Sequence, residues 1–192
     1  MTDLAERRDI DQVYQPAEDS HLLAETAREY ADEDDLVLDV GTGSGYVARA
    51  IAERGADVIA SDLSPLACRE ARESGLSVVQ ANLVEPFRTG AFDLVTFNPP
   101  YLPTPPEQER DDWMEQALSG GEDGRAVIDP FLKTVARVLA PDGAVLLLVS
   151  SLTGFDAVRE SAACGGLAAR EVAGEPHPFE RLVVLELRRD GA

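Results

Sequence analysis

The stretch Leu36–Gly45, LVLDVGTGSG, decides the fold of this 192-residue chain. It begins with a short apolar run that only Asp39 interrupts, a composition typical of a buried strand. Glycines at alternate positions follow, and the residues after them carry apolar side chains at helical spacing. A strand, a glycine-rich turn and a helix in this order predict the first unit of a nucleotide-type α/β binding fold.

The spacing of the glycines indicates which ligand this turn receives. Gly41, Gly43 and Gly45 follow the pattern Gly-x-Gly-x-Gly, whereas a dinucleotide site has Gly-x-Gly-x-x-Gly, and position 46 here is Tyr. Asp39 would repel a pyrophosphate, but it would attract the ammonium group of an amino-acid moiety. The turn therefore predicts S-adenosylmethionine (SAM) as the ligand rather than a dinucleotide.

Polar side chains also follow the next two predicted strands. Asp62 ends the strand that begins at Asp57, where a carboxylate can hold both hydroxyls of a ribose. Its alternative role is that of an acid at the start of the following helix. After the strand Ser77–Gln80, Asn82 could bind the adenine amino group, with Leu83 packed on the ring. An asparagine that merely forms the turn is an equally good interpretation of Asn82.

The stretch Phe92–Tyr101, FDLVTFNPPY, predicts the place of the chemistry. Its apolar first half is typical of a central strand, which must leave the sheet at Asn98 because prolines follow. The Asn98 side-chain oxygen and the Pro99 carbonyl are two acceptors suited to an –NH2 group, and Tyr101 could cover its flat face. We therefore predict Asn98, Pro99 and Tyr101 as catalytic, with Pro100 completing the substrate site. The alternative is a strand that simply stops at a Pro-Pro turn.

Helical patterns flank these strands. The first predicted helix has Pro16 at its front and Glu18 and Asp19 in its first turn, where acids favour the helix dipole. Another helix is expected to open at Pro130 and to include Leu139. The long irregular run between Tyr101 and that helix predicts a lid or a binding surface.

The remaining pattern predicts an apolar strand over residues 144–149, a helix near 156–163 and two closing strands, 167–173 and 182–187. Residues 1–13 lack periodicity and predict a flexible arm, which leaves residues 14–192 as a single domain. Successive βα steps with a closing strand pair predict a seven-stranded, mostly parallel sheet with one antiparallel strand.

The charge balance limits the partners of the chain. Lys and Arg number 17 against 36 Asp and Glu, so the net charge is −19, and Lys133 is the only lysine. Such a surface makes a nucleic-acid partner unlikely at ordinary salt, because it repels phosphates. It also destabilises the folded state by self-repulsion, which high salt would screen. We therefore expect a halophilic source, under which the acidity says less about partners.

Several classes of protein find no support in the sequence. No apolar run is long enough to cross a membrane, and the polar first residues do not resemble a secretion signal, so we expect a cytoplasmic protein. Cys68 and Cys164 lack neighbours at ligand spacing, so neither a disulfide framework nor a metal site is expected. His21 and His177 stand alone and are expected to be surface or packed residues.

Taken together, the motifs resemble those of SAM-dependent methyltransferases with a Rossmann-like class I fold. More narrowly, they resemble the HemK-type protein-glutamine methyltransferases, and among them the small eukaryotic and archaeal branch that acts on class I release factors. The Tyr-x-Pro-Ala-Glu-Asp and Gly-Gly-x-x-Gly-Arg pieces are the specific ones. The matching segments are Tyr14–Ser20, Asp39–Gly45, Asp62, Asn98–Tyr101, Thr104–Pro106 and Gly120–Arg125.

This resemblance implies roles for individual residues. Asp39 and Gly41 would hold the methionine end of SAM with help from Ser20, while Asp62 would hold the ribose. Asn82 would contact the adenine, although that branch often has Asp at this position. The implied substrate is the glutamine of the Gly-Gly-Gln motif in a peptide chain release factor. The implied partner is a small zinc-containing activator protein that pairs with the edge strand, residues 77–80, to form a heterodimer.

Other functions use the same residues. A nucleic-acid adenine or guanine methyltransferase could hold a flipped base at Asn98–Tyr101, but this chain lacks a basic patch and a target-recognition segment. A lysine-directed protein methyltransferase is a further alternative. However, the two acceptors at Asn98 and Pro99 form an amide clamp, which suits a planar nitrogen better than a flexible ammonium group. A SAM-binding partner subunit without activity would have no need of an intact Asn98 and Tyr101.

Overall fold

The computed structural model describes residues 13–105, 107 and 113–191. The predicted arm therefore lies outside the described residues except for Val13, which is buried, so packing begins before residue 14. Pro106 of the predicted 104–106 motif also lies outside the described residues.

The described residues form seven strands and six α-helices. The strands are β1 (Leu36–Val40), β2 (Asp57–Asp62), β3 (Ser77–Gln80), β4 (Phe92–Phe97), β5 (Leu139–Ser150), β6 (Leu167–Pro176) and β7 (Arg181–Arg189). The helices are α1 (Glu18–Tyr30), α2 (Tyr46–Ala52), α3 (Pro65–Glu73), α4 (Trp113–Leu118), α5 (Ile128–Thr134) and α6 (Phe155–Cys164). Short 3₁₀ turns occupy Val135–Arg137 and Ser151–Thr153.

The strands form one sheet in the order β3-β2-β1-β4-β5-β7-β6. The pairs from β3 to β5 are parallel, and β7 runs antiparallel to both of its neighbours. The predicted seven-stranded sheet with a single antiparallel strand is therefore confirmed. β3 lies at one edge of the sheet, as predicted, and β6 lies at the other.

Apolar residues cover both faces of the sheet. On one face, α5 and α6 pack Phe131 and Val158 against alternate residues of the central strands. On the other face, α1 and α2 contribute Leu23 and Ile51. Burial on both faces explains the continuous apolar runs of the central strands. Because β1, β2 and β4 run parallel, their carboxyl ends lie at one rim of the sheet.

The structure corrects three predicted boundaries. The helix expected to open at Pro130 begins at Ile128, and Leu139 belongs to β5 instead of that helix. β5 contains an irregularity, since Phe92 pairs with Leu139 but Leu94 pairs with Ala144. The extra residues bulge out of the ladder, which is how a strand can include a Pro-Asp-Gly sequence typical of a turn. The first helix also starts later than predicted, because Pro16 precedes α1 by two residues.

Within the described residues, no helix combines the length and the apolar character needed to span a membrane.

Candidate functional site

A deep cleft opens at the carboxyl ends of β1, β2 and β4. It contains about 1120 Å³ of empty space, its open mouth included. The α4 helix contributes Trp113 to one wall, as expected for a segment that covers a binding site. Most of the predicted site residues line this cleft, namely Ser20, Asp39, Gly41, Gly43, Asp62, Asn82, Leu83, Asn98 and Pro100.

The glycine turn lets the backbone pass close to its neighbours. Gly41 has a positive φ of 61°, and a Cβ atom there would lie 3.0 Å from Cε2 of Phe97. Gly45, in contrast, does not line the cleft. Its φ is 79°, and a Cβ atom there would lie 2.6 Å from Cδ1 of Leu76. Gly41 thus shapes the cleft, whereas Gly45 allows α2 to pack beside Leu76.

Asp39 is almost fully buried at the end of β1, with 2% exposure. Its carboxylate accepts hydrogen bonds from the hydroxyls of Thr42 and Thr96, at 2.6 and 2.7 Å. Burial raises the pKa of Asp39 to about 6, and these two hydrogen bonds limit the rise. A buried carboxylate of this kind lacks a counter-ion among the described residues, so a cationic ligand group in the cleft would favour its ionised form.

Asp62 both shapes the glycine turn and faces the cleft. Its Oδ2 accepts a hydrogen bond from the Gly43 N–H at 3.0 Å, and its Oδ1 accepts one from the Ser64 N–H at 2.8 Å. Burial raises the pKa of Asp62, and these backbone N–H groups oppose that rise. Each carboxylate oxygen keeps a second acceptor site, so the geometry still permits contacts with a diol.

Asn82 and Leu83 form a turn beyond β3 and line the cleft. The Asn82 amide nitrogen donates a hydrogen bond to Glu85 Oε1 at 3.0 Å, which leaves its oxygen available as an acceptor. Leu83 has a positive φ of 50°, rare for a branched residue, and its side chain is half-buried. The turn and the cleft thus share Asn82, so its two interpretations are compatible.

Asn98 stands at the boundary between this cleft and a smaller cavity. Its Nδ2 donates to the hydroxyl of Ser20 at 3.4 Å. Its Oδ1 is buried, and none of the residues that the structure describes gives it a hydrogen-bond donor. An unsatisfied buried acceptor costs about 1–3 kcal/mol, so an incoming N–H group would be stabilised here.

The smaller cavity lies between the first helix and the Pro-Pro turn and contains about 450 Å³ of empty space, its open mouth included. Its lining includes Asn98, Pro99, Tyr101 and Leu102. Asp19 lies in its wall and is buried, with 4% exposure. The Tyr14 hydroxyl donates to both Asp19 oxygens at 2.9 and 2.8 Å, and the Tyr101 hydroxyl donates to one of them at 3.3 Å. Burial and the negative charge of Asp19 raise the pKa of both tyrosines.

The segment after Tyr101 is held by the Gly-Gly-x-x-Gly-Arg motif. The Leu102 N–H donates to the Leu118 carbonyl at 3.0 Å, and the Gly120 N–H donates back to the Leu102 carbonyl at 2.9 Å. Arg125 donates to the Thr153 carbonyl at 2.6 Å. This motif therefore braces the loop that carries Tyr101.

Sequence reasoning did not assign Asp19 to the site. It explained Asp19 by the dipole of the first helix, and it left Tyr14 without a role beyond the motif. The hydroxyls that hold Asp39, from Thr42 and Thr96, were also missed. Both residues belong to the Tyr14–Ser20 motif, so the sequence did mark them. Their shared role became clear only from the contact of Asp19 with Tyr101.

The cleft suits SAM by the chemistry of its donor set. Asp62 offers carboxylate oxygens for a ribose diol, and Asp39 offers buried negative charge for an ammonium group. The described residues contain no group of three or more His, Cys, Asp or Glu side chains arranged to hold a metal ion. The fold and the site together place this chain among the class I SAM-dependent methyltransferases, and SAM is the cofactor. A sequence-family model described as a methyltransferase domain matches residues 37–119.

Relatives define the family more narrowly. The chain is 35% identical over 185 residues to a Methanocaldococcus jannaschii protein whose name assigns it as a protein N5-glutamine methyltransferase, and the match covers 93% of this chain and 92% of that protein. It is 34% identical to methyltransferase HEMK2 of Homo sapiens over 71% of each chain. The chain therefore belongs to the HemK-type protein-glutamine methyltransferases, which confirms the predicted family.

A solved structure agrees with this assignment. The Mtq2–Trm112 complex of E. cuniculi, described as responsible for methylation of the eRF1 translation termination factor, matches with a TM-score of 0.78 and 27% identity. The match covers 93% of this chain and 99% of the matching chain.

Proposed function

We propose that this enzyme transfers a methyl group from SAM to the side-chain amide nitrogen of the glutamine in the Gly-Gly-Gln motif of a peptide chain release factor. The observation that carries the proposal is the buried Asn98 Oδ1, which has no donor among the described residues and lies where the cofactor cleft meets the smaller cavity. Release-factor methylation by relatives supports the choice of substrate.

The chemistry of a carboxamide explains why two acceptors are needed. Its nitrogen lone pair is delocalised into the carbonyl group, so the nitrogen is a poor nucleophile. Asn98 Oδ1 and the Pro99 carbonyl would accept its two N–H hydrogens and hold the nitrogen in one orientation. The same oxygens favour the positive charge that develops on nitrogen during transfer. When bound, SAM supplies an electrophilic methyl group on a sulfonium.

Ser20 and Asp19 would keep this clamp in place. The Ser20 hydroxyl accepts from the Asn98 amide nitrogen, which leaves Oδ1 as the group that faces a substrate donor. Asp19 holds the Tyr101 hydroxyl, which fixes the ring that would cover the flat face of the substrate amide. No strong base is required, because the proton can leave after the methyl group has been transferred.

A small zinc-containing activator protein is the proposed partner, and β3 is its proposed binding edge. Among the described residues, no strand pairs with the outer edge of β3, whose Val78 carbonyl accepts a hydrogen bond from the Arg72 side chain at 3.3 Å. The apolar Val79 on this strand is 36% exposed. Such an edge favours pairing with a strand of another chain. The presence of Trm112 in the complex with Mtq2 supports a partner of this kind.

Mass spectrometry of the release factor tests the proposal. The enzyme, co-expressed with the activator, is incubated with SAM and the cognate release factor, which is then digested and sequenced by fragmentation. We expect a single added methyl group on the glutamine of the Gly-Gly-Gln peptide. A methyl group on lysine, or on DNA or RNA offered in a parallel reaction, would instead support the lysine-directed or nucleic-acid alternative and contradict the proposed substrate.

A further inference from the structure

Three large apolar side chains are exposed on loops at the carboxyl-end rim of the sheet. Leu102 directly follows Tyr101 and is 38% exposed, Leu152 lies in the turn after β5 and is 43% exposed, and Phe179 in the β6–β7 hairpin is 95% exposed. Single exposed apolar residues are ordinary on protein surfaces. Here the exposed residues share one rim, and that rim borders the substrate cavity.

The loops that carry these residues contact one another. A Cβ atom on Gly124 would lie 2.5 Å from the Tyr101 carbonyl oxygen and 2.9 Å from Cγ2 of Thr153, so Gly124 joins the Tyr101 loop to the turn of Leu152. The Ser151 hydroxyl in that turn accepts a hydrogen bond at 2.9 Å from the N–H of Arg181, next to the hairpin. The rim from residue 101 to the hairpin is therefore continuous.

The charge of the rim indicates what kind of surface it can receive. Glu122 is exposed, whereas Asp156 at the start of α6 pairs with Arg159 at 3.6 Å. Arg181, beside the hairpin, pairs with Glu171. Arg125, a cation of this region, is engaged by Asp123 and by the Thr153 carbonyl. Because these three arginines are each held by an acid while Glu122 is exposed, the rim is complementary to an apolar surface bordered by basic residues.

We propose that Leu102, Leu152 and Phe179 form a docking surface for the folded protein substrate, outside the clamp that holds its glutamine. The proposal rests on the proposed function, and its occupant is the face of the release factor that surrounds the Gly-Gly-Gln loop, with apolar side chains bordered by basic ones. Phe179 is the anchor, since an aromatic side chain buries a large area on binding and such residues contribute most to affinity in protein interfaces.

The test compares a protein substrate with a peptide. Phe179→Ser should raise KM for the intact release factor by about tenfold or more, a size typical of an anchor residue, while kcat at saturation stays near the wild-type value. Phe179→Leu, which keeps an apolar side chain, should restore most of the affinity. A short Gly-Gly-Gln peptide cannot reach the hairpin, so its kcat/KM should be the same for wild type and both variants. Arg54→Ser, at an exposed site on the opposite end of the fold, is the control.

Each contrary result has a distinct meaning. An unchanged KM for the release factor in Phe179→Ser, or an equal loss with protein and peptide, overturns the docking surface. Loss of the activator from the purified complex of this variant also overturns it, because Phe179 would then contact the activator. If the wild-type enzyme does not methylate the release factor at all, the proposed substrate fails together with its docking surface, and that failure is visible before any variant is made.

Discussion

A Cβ atom on Gly124 would lie 2.5 Å from the backbone carbonyl oxygen of Tyr101. Gly124 also has a positive φ of 76°, so two independent constraints exclude a side chain at this position. The contact joins the Gly-Gly-x-x-Gly-Arg motif to the loop of the substrate clamp, which are far apart in the sequence. Gly124 therefore supports the backbone of Tyr101.

Gly124→Ala should therefore displace the Tyr101 loop and lower methyl transfer much more than SAM affinity. Gly166→Ala is the matched control, because Gly166 has a φ of 75° and no heavy atom within 4 Å of a Cβ atom placed there. Gly166→Ala should lose about 1–2 kcal/mol of stability from the left-handed backbone, and Gly124→Ala should lose more because its methyl group also meets the Tyr101 carbonyl, both measured by denaturant unfolding. Only Gly124→Ala should lose activity on top of this. Equal activities of the two variants would contradict the bracing role.

Substitutions of Asn98 should affect catalysis without affecting cofactor binding. Asn98→Ala should lower the rate of methyl transfer by about 100-fold or more, as is typical when a preorganised polar contact is removed. SAM affinity, measured by titration calorimetry, should stay nearly unchanged. Asn98→Asp keeps an acceptor but adds a charge, so it should bind SAM well yet misplace the substrate amide. Transfer to a Gly-Gly-Gln peptide at the wild-type rate in either variant would exclude the clamp.

Asp62 is predicted to hold the ribose of SAM. Asp62→Ala should weaken SAM binding by about 1.5–3 kcal/mol, the range for a hydrogen bond to a charged group. Because Asp62 also accepts from the N–H groups of Gly43 and Ser64, thermal melting should show some loss of stability as well. Asp57→Ala, which removes an exposed acid at the other end of β2, should leave the affinity unchanged. A wild-type Kd in Asp62→Ala would remove this residue from the cofactor site.

The buried Asp39 predicts a dependence on pH. Its folded-state pKa of about 6 lies above the ordinary value, so in cofactor-free protein its contribution to stability is present at low pH and is lost as the pH rises through about 6. SAM should act in the opposite sense, since its ammonium group favours the ionised carboxylate, and its affinity should fall as the pH is lowered through about 6. Calorimetry between pH 5 and about 7.5 measures this, with a limit of about tenfold per pH unit. Asp39→Asn should bind SAM weakly at every pH, and a pH dependence equal to that of wild type would assign the titration to another group.

A substitution of Val79 tests whether the activator binds to the β3 edge of the sheet. Val79→Arg should abolish co-purification with the activator while circular dichroism shows an intact fold, because a charged side chain disfavours strand pairing at an exposed edge. Ala168→Arg places the same charge on β6, the opposite edge of the sheet, and should leave the complex intact. A chain that is fully active and monomeric by itself would contradict the proposed heterodimer.

The fold could be predicted from the sequence to a large extent. Buried parallel strands are continuous apolar runs, so β1 and β4 could be recognised without a partner, and the residues that end them were identified together with the strands. The family motifs also predicted the cofactor. The position of Leu139 was wrong, because a bulged strand that contains Pro-Asp-Gly has the local pattern of a turn. The helix start at Pro130 was wrong because a proline is tolerated throughout the first turn of a helix, where the backbone N–H groups have no partner within the helix. The expected salt adaptation and the cytoplasmic location stay predictions.

What the sequence by itself determined is thus the set of βα units, their order, and the side chains at the ends of the strands. All of these follow from periodicity and turn chemistry within short segments. Only the tertiary structure decided which distant groups meet. The contact of Asp19 with Tyr101, the Thr96 hydroxyl on Asp39 and the close approach of Gly124 to Tyr101 join residues that are far apart along the chain. A local pattern carries no information about such partners, because a buried polar group is satisfied by whatever donor the packing brings within hydrogen-bond distance.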